Sequence, residues 1–244
     1  MKYKNPPIVE AICEFRFSKE TKWDPTIPGS VYEKVKDQFP HKESRLEQQV
    51  VLKTEETGFN QNLVASQRAL MLSQDRSSLI QVGQHLLSIN HLKPYSGWEN
   101  FRPKIKMAYD TLGGITKING IDRMALVYID RIEIPGKRIE LEDYFKFYPQ
   151  SGPELPHDHT NFMIGVEFPF KEKRDSCRLQ LTSAMATKKD HLALLLTTEY
   201  YLAKQKSVAP DNALGWMEDA HTQVRELFNG CITEKLEDLF ERLD

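Results

Sequence analysis

Three charged side chains, Glu10, Glu14 and Arg16, interrupt the apolar opening segment NPPIVEAICEFRF at residues 5–17. In a β-strand, residues two apart share a face and lie about 6.6 Å apart, so Glu14 and Arg16 can form an ion pair. Glu10 and Glu14 would be about 13 Å apart, which is too far for a pair of catalytic carboxylates or a shared metal ion. The spacing therefore predicts that Glu14 and Arg16 interact with charged groups and that the segment holds no pair of catalytic carboxylates.

The second half of the chain repeats the arginine, as Arg131 in the segment DRIEIP. Two arginines related by internal symmetry could hold one anionic ligand, because a guanidinium donates paired hydrogen bonds to carboxylate or phosphate oxygens. Arg16, Arg131 and Glu14 are therefore the candidate ligand-binding residues. The competing interpretation, which general experience favours, is that each arginine pairs with a carboxylate of the protein itself.

Other reactive residue types lack the spacing that catalysis or metal binding needs. His157 and His159 flank Asp158 in PHDHT, but the nearby prolines predict a loop and no third ligand is identifiable, so no metal site is predicted. The sequence has no G-x-S-x-G or S-x-x-K motif, no phosphate-binding glycine loop and no C-x-x-C pair. These observations favour a binding protein without a cofactor over an enzyme.

Composition and charge restrict the partners. The 244 residues carry 33 Lys and Arg against 35 Asp and Glu, so no overall positive field attracts nucleic acid or an anionic membrane. No apolar run is long enough for a membrane span, and prolines and glutamates interrupt the N-terminus where a signal peptide would need an apolar run. Three widely spaced cysteines, Cys13, Cys177 and Cys231, are typical of reduced thiols. A cytoplasmic protein is predicted.

A series of strands and helices must position these residues. In the first half, alternation and apolar runs predict strands at residues 8–17, 46–54, 69–73 and 79–92. The capping box from Ser30 to Glu33 predicts a short helix that ends before Pro40. Apolar residues at helical spacing after Pro103 predict a longer helix that stops at Gly113.

The second half predicts the same order. RMALVYIDRIEIP reads as a strand, LEDYFKFYP as a short helix, the next three apolar segments as strands, and ALGWMEDAHTQVRELFNGC as a long helix. Local matches link the halves: Arg16 with Arg131, Arg68 with Arg178, and Gly97-Trp98 with Gly215-Trp216. The prediction is an α+β fold of two β-α-β-β-β-α repeats, residues 1–120 and 121–244, forming a pseudo-dimer with antiparallel sheet packed on long helices. A groove between the repeats is the expected ligand site.

Several segments carry a family resemblance: NPPIVEAICEFRFS, IQVGQHLLSINHLKPYSGWENF, RMALVYIDRIEIPG and LEDYFKFYP. With the pattern of Trp216, Ala220, His221, Val224, Phe228 and Ile232, they resemble a sporadically distributed prokaryotic family of uncharacterised proteins whose members open with N-P-P-(I/L)-x-E-(A/V)…E-(F/I)-R-F. The resemblance covers nearly the whole chain and implies no activity or catalytic residue. The patchy distribution of the family resembles that of horizontally carried genes, which implies a mobile defence or toxin–antitoxin context.

Two functional hypotheses follow. The first is a non-enzymatic cytoplasmic protein that engages a protein partner or a small anionic ligand through the groove or a sheet edge. The second is a ligand carrier or enzyme with a helix-grip-like pocket between the halves, into which Arg16, Arg131 and Glu14 face. Homodimerisation through a sheet edge or the amphipathic segment 233–243 is a further hypothesis.

Overall fold

The computed structural model describes residues 2–55, 58–156 and 160–243, with side chains described outside residues 2 and 47–66. The strands are β1 (Lys2–Tyr3), β2 (Ile8–Phe17), β3 (His41–Glu55), β4 (Gly58–Leu72), β5 (Ser78–Gly83), β6 (Leu86–Leu92), β7 (Ile121–Pro135), β8 (Met163–Phe170), β9 (Asp175–Ala184), β10 (His191–Leu202) and β11 (Arg242–Leu243). The α-helices are α1 (Ile27–Val35), α2 (Trp98–Gly113), α3 (Ala213–Cys231) and α4 (Glu234–Leu239). Single 3₁₀ turns occur at Leu141–Asp143, Lys171–Lys173 and Pro210–Asn212. The fold is therefore of the predicted α+β class.

Nine strands form one open sheet in the order β3-β4-β5-β6-β2-β7-β10-β9-β8, and every neighbouring pair is antiparallel. The short strands β1 and β11 pair separately. Strands β2 and β7, one from each half of the chain, lie side by side in the middle of the large sheet. Both halves of the sequence thus contribute to a single continuous sheet.

Strand β2 shows why the sheet has one covered face. Ala11, Cys13, Phe15 and Phe17 are buried, whereas the alternate residues, including Glu14 and Arg16, are half-buried or exposed. Successive side chains of a strand point to opposite faces, so the first set forms a core face and the second an open face. The predicted alternation over residues 8–17 is confirmed.

Helices α2 and α3 cover the core face. Phe15 packs against Tyr109 of α2 with ring centroids 4.8 Å apart, and the Cys13 sulfur lies 3.5 Å from the sulfur of Met217 in α3. The main buried cluster combines residues of both helices with residues of β2, β7 and β10. One hydrophobic core therefore joins the two halves of the chain.

The open face carries a line of alternating charges across four strands, formed by Glu167 (β8), Arg178 (β9), Glu199 (β10) and Arg123 (β7), which we call the charge ladder. Arg178 lies 3.3 Å from Glu167 and 3.5 Å from Glu199, and Arg123 lies 2.6 Å from Glu199. Tyr201 adds a ring face to both arginines, with its centroid 4.4 Å from Arg123 and 5.8 Å from Arg178. Every member of the ladder thus has an opposite charge beside it.

Three local predictions were wrong. Helix α1 begins at Ile27 after Thr26, so Ser30 lies inside the helix and is not its N-cap; Pro28 in the first turn fits this earlier start. The run 79–92 is a hairpin of β5 and β6, joined at His85, which has a positive φ of 54°. In the second half the predicted short helix is only the 3₁₀ turn Leu141–Asp143, because Phe145 is buried and bridges to Ile232. Neither half matches the β-α-β-β-β-α order element for element.

Candidate functional site

A cavity of about 580 Å³ lies on the covered face of the sheet, where the two halves meet. Its walls come from the N-terminal segment, the start of α2, strands β7 and β10, and the second half of α3. The side chains that line the cavity include Tyr3, Tyr95, Trp98, Tyr128, Asp130, Thr198, His221, Arg225 and Phe228. Volumes of about 300–1,000 Å³ are typical of small-molecule sites.

Strand geometry brings the polar groups of the cavity together. Tyr128 and Asp130 are two residues apart in β7, on its buried side, and Thr198 of β10 pairs directly with Tyr128. On the other side of β7, the register of β2 shifts between Ile8 and Glu10, opposite Asp130. A bulge of this kind ends regular pairing and re-aims side chains, and it lies beside the cavity.

Asp130 is a buried acid that forms no ion pair with any residue the structure describes. The side chain is 2% exposed, and among the described residues its Oδ1 atom has no hydrogen-bond partner. Burial raises its pKa to about 8, because the ionised carboxylate is poorly solvated there. The Thr198 hydroxyl, fully buried on the next strand, also lacks a partner within the described part of the chain. Two orphaned polar groups therefore line one cavity.

Aromatic rings form most of the remaining wall. The hydroxyls of Tyr95 and Tyr128 lie 2.9 Å apart, and their rings meet edge to face. Burial, reinforced by the charge of Asp130, raises the pKa of Tyr95 to about 12, although its hydrogen bond to Tyr128 lowers the value somewhat. These phenols therefore stay neutral, as hydrogen-bonding groups, at ordinary pH.

At the start of α2, the Trp98 ring stacks on His221 of α3, with centroids 4.2 Å apart and an interplanar angle of 5°. The indole nitrogen of Trp98 donates a hydrogen bond of 3.0 Å to Glu218. Burial, with Arg225 adding a smaller effect, lowers the pKa of His221 to about 4. The stacked pair is thus an uncharged clamp that holds α2 and α3 together at the edge of the cavity.

A serine and a histidine also meet beside the cavity. Ser96 lines the cavity, and its hydroxyl lies 2.9 Å from Nε2 of the buried His91. Nδ1 of His91 lies 2.6 Å from the Ser78 hydroxyl. Serine next to histidine is the arrangement of a nucleophile and its base.

The surroundings of this pair favour a structural role. Lys104 donates to Ser78 and lies 3.5 Å from Nδ1 of His91, and burial together with Lys104 lowers the pKa of His91. An imidazolium formed by taking the serine proton would sit beside an ammonium, where the known triads place a carboxylate. His91 accepts from the backbone N–H of Ser96 as well, so the pair holds the loop before α2 in place.

The candidate residues Arg16 and Glu14 lie on the open face, away from the cavity. Nε of Arg16 donates to Glu14 over 2.7 Å, and the Arg16 side chain is 44% exposed. The structure therefore forms the ion pair that the spacing in β2 allows.

Arg131 is engaged separately. It donates to Glu133 over 3.0 and 3.1 Å and to the backbone carbonyl of Met185. Arg16 pairs across the strands with Arg123, eight residues before Arg131 in β7, which places the two candidate arginines about 26 Å apart. The structure does not bring Arg16 and Arg131 to one small ligand, and their binding role stays a prediction.

Asp130, which the site prediction missed, had a signal in the sequence. Met124, Leu126, Tyr128, Ile132 and Ile134 form the buried side of β7, and Asp130 stands in the same alternating series. An acid at a core position of a strand is rare unless it is paired. That signal was available from the alternation alone.

Among the residues that the structure describes, no group of three or more His, Cys, Asp or Glu side chains is placed to hold a metal ion. His157, Asp158 and His159 lie outside the described residues. Within the described helices, none combines the length and apolarity needed to cross a bilayer. Comparison of the chain with protein-family models, with curated proteins and with solved structures finds no match.

Proposed function

We propose that this protein binds a small organic molecule in the cavity between its halves. The observation that carries the proposal is that two residues lining one cavity, Asp130 and Thr198, each carry a buried polar side-chain atom with no hydrogen-bond partner among the described residues. A buried polar group without a hydrogen bond costs free energy, and a bound ligand is a natural source of the missing partner. This proposal takes up the ligand-carrier hypothesis from the sequence.

The proposal is for binding rather than catalysis. Lys104 beside His91 opposes proton transfer from Ser96, a hydroxyl residue that lines the cavity. Arg16 and Arg131 do not line the cavity, so the small anionic ligand predicted from them is not part of this proposal. Engagement of a protein partner elsewhere on the surface stays a separate hypothesis.

We infer further that the cavity lies at the junction of a duplicated unit. From the centre outward, the strand order is β2-β6-β5-β4 in one half and β7-β10-β9-β8 in the other, and the first half adds β3 as an extra outer strand. In each half a long helix, α2 after β6 or α3 after β10, packs on the same face of the sheet. A cytoplasmic setting is also proposed, and the three buried free cysteines support it. Homodimerisation and the family resemblance remain separate proposals.

Binding of the neutral dye N-phenyl-1-naphthylamine, followed by its fluorescence, tests the proposed function. Asn229 lines the cavity from α3, so Asn229→Trp should obstruct it and reduce dye affinity at least about tenfold. Gln223→Trp, on the same helix but away from the cavity, is the matched control and should bind like the parent. Circular dichroism checks that both variants are folded.

The same experiment tests the two arginines that the sequence predicted as ligand-binding residues. Arg16→Ala and Arg131→Ala should leave dye binding unchanged, because neither residue lines the cavity. Dye binding that survives Asn229→Trp in a folded protein, or that either arginine substitution abolishes, would place the site elsewhere.

A further inference from the structure

We propose that the cavity selects ligands with a protonated amine, which pairs with the carboxylate of Asp130 while aromatic rings enclose the rest of the ligand. This inference rests on the proposed function and names its ligand class. It starts from the Asp130 oxygen that no donor reaches within the described chain.

An ammonium group satisfies this oxygen better than other ligand groups do. An alkylammonium N–H donates a hydrogen bond and supplies the opposite charge that a buried carboxylate needs. A neutral alcohol could also donate to Asp130, but it would leave the acid without a counter-charge. An anionic ligand would be repelled by the ionised form of Asp130 and so could not pair with it.

The rings around Asp130 suit the same ligand. Tyr3, Tyr95, Trp98, Tyr128 and Phe228 line the cavity, and the charge of Asp130 contributes to raising the pKa of Tyr3, Tyr95 and Tyr128. These three phenols therefore lie within electrostatic reach of the carboxylate. Aromatic faces attract cations and exclude water, which is how known sites enclose substituted ammonium groups.

Binding of an amine should be linked to release of a proton. The Asp130 pKa of about 8 means that the carboxyl is mostly protonated at pH 7, whereas an alkylammonium pairs with its ionised form. Affinity should therefore rise about tenfold per pH unit below pH 8 and level off above it. The other titratable or charged groups that face the cavity are Tyr3, Tyr95, Glu99, Tyr128, His221 and Arg225.

The groups among these whose pKa is shifted gain or lose their proton outside the pH 6–9 range of the experiment. Burial lowers the pKa of His221 to about 4, and burial raises the pKa of Tyr3 and Tyr95 to about 12 and that of Tyr128 well above its ordinary value. A binding step centred near pH 8 would therefore report Asp130.

The test compares phenethylamine, phenethyl alcohol and 3-phenylpropionate, which share a phenyl group and differ in charge. Calorimetry on the parent at pH 6, 7, 8 and 9 should show the amine binding at least about tenfold tighter than the alcohol at pH 8. At pH 7, titrations in buffers of different ionisation enthalpy should show release of about one proton. Asp130→Asn should abolish both the preference and the proton release while still binding N-phenyl-1-naphthylamine.

The possible failures are distinct. If the dye binds but the amine is no tighter than the alcohol, or if the preference for the amine persists in Asp130→Asn, the amine assignment is wrong and the cavity remains a ligand site. If neither the dye nor any phenyl compound binds the parent, the proposed function itself is wrong. Retained binding of the dye by Asp130→Asn verifies that its cavity is intact.

Discussion

Asp130 links the cavity to the stability of the protein. A free aspartate has a pKa near 3.9, and burial raises the pKa of Asp130 in the folded chain to about 8. Between these values the folded state binds more protons than the unfolded state, so the free energy of unfolding falls as pH rises. Above pH 8 the carboxyl is ionised in both states and its contribution levels off.

We expect Asp130 to make the parent about 1.4 kcal/mol more stable at pH 7 than at pH 9, through this proton alone. Urea unfolding at both pH values measures the difference, and Asp130→Asn should remove that part of it. Asp37→Asn, at an exposed aspartate, is the control and should keep the pH dependence of the parent. An Asp130→Asn protein with an undiminished pH dependence would show that this acid is not buried as described.

At the scale of elements, the two glycine–tryptophan pairs that support duplication in the sequence have different structural roles. Gly97 precedes α2 with a φ of +91° and ψ of 165°, a conformation that side chains disfavour, whereas Gly215 lies inside α3. Trp98 is consequently the first residue of its helix, and Trp216 lies one turn into the other. The two identical Gly-Trp pairs therefore do not occupy equivalent positions in their helices.

Alanine substitutions distinguish the two glycines. An added Cβ would meet no atom within 4 Å at either position, so backbone conformation decides the outcome. Gly97→Ala should lower the free energy of unfolding by about 1–3 kcal/mol. Gly215→Ala, in an exposed part of a helix, should raise it by up to about 1 kcal/mol. Urea unfolding measures both, and shifts in the same direction would contradict this account.

Other elements show why some of the fold was predictable and some was not. Strands β2 and β7 alternate in sequence because one side meets the helices, so their faces could be read directly. Residues of β5, and most residues of β6, are buried on both faces of the sheet, so their sequence does not alternate between apolar and polar residues. Without alternation, nothing in the pattern indicated that the chain turns at His85. The sequence could show that Asp130 stands in a core series, but the lack of a partner for its Oδ1 depends on tertiary contacts that no local pattern encodes.

At the scale of the whole molecule, the two halves share their interior. The main core contains Cys13 and Phe15 from the first half together with Tyr200 and Trp216 from the second. The central strand pair β2 and β7 also crosses the predicted boundary at residue 120. Neither half can unfold without exposing apolar surface of the other.

We therefore expect one cooperative unfolding transition for the whole chain. Urea unfolding followed by far-ultraviolet circular dichroism and by tryptophan fluorescence should give the same midpoint, because Trp98 and Trp216 report on opposite halves. Two separated midpoints would indicate that residues 1–120 and 121–244 behave as independent domains.

The charge ladder has a consequence for how the sheet assembles. Glu167 pairs in register with Arg178, and Arg178 with Glu199, across β8, β9 and β10. A slip of two residues between β8 and β9 would keep every side chain on its face, yet it would set Arg178 opposite Gly165 or Pro169. Apolar alternation alone tolerates such a slip, whereas the ladder is complete in only one alignment. The exposed charges thus discriminate between otherwise equivalent strand pairings as the chain folds.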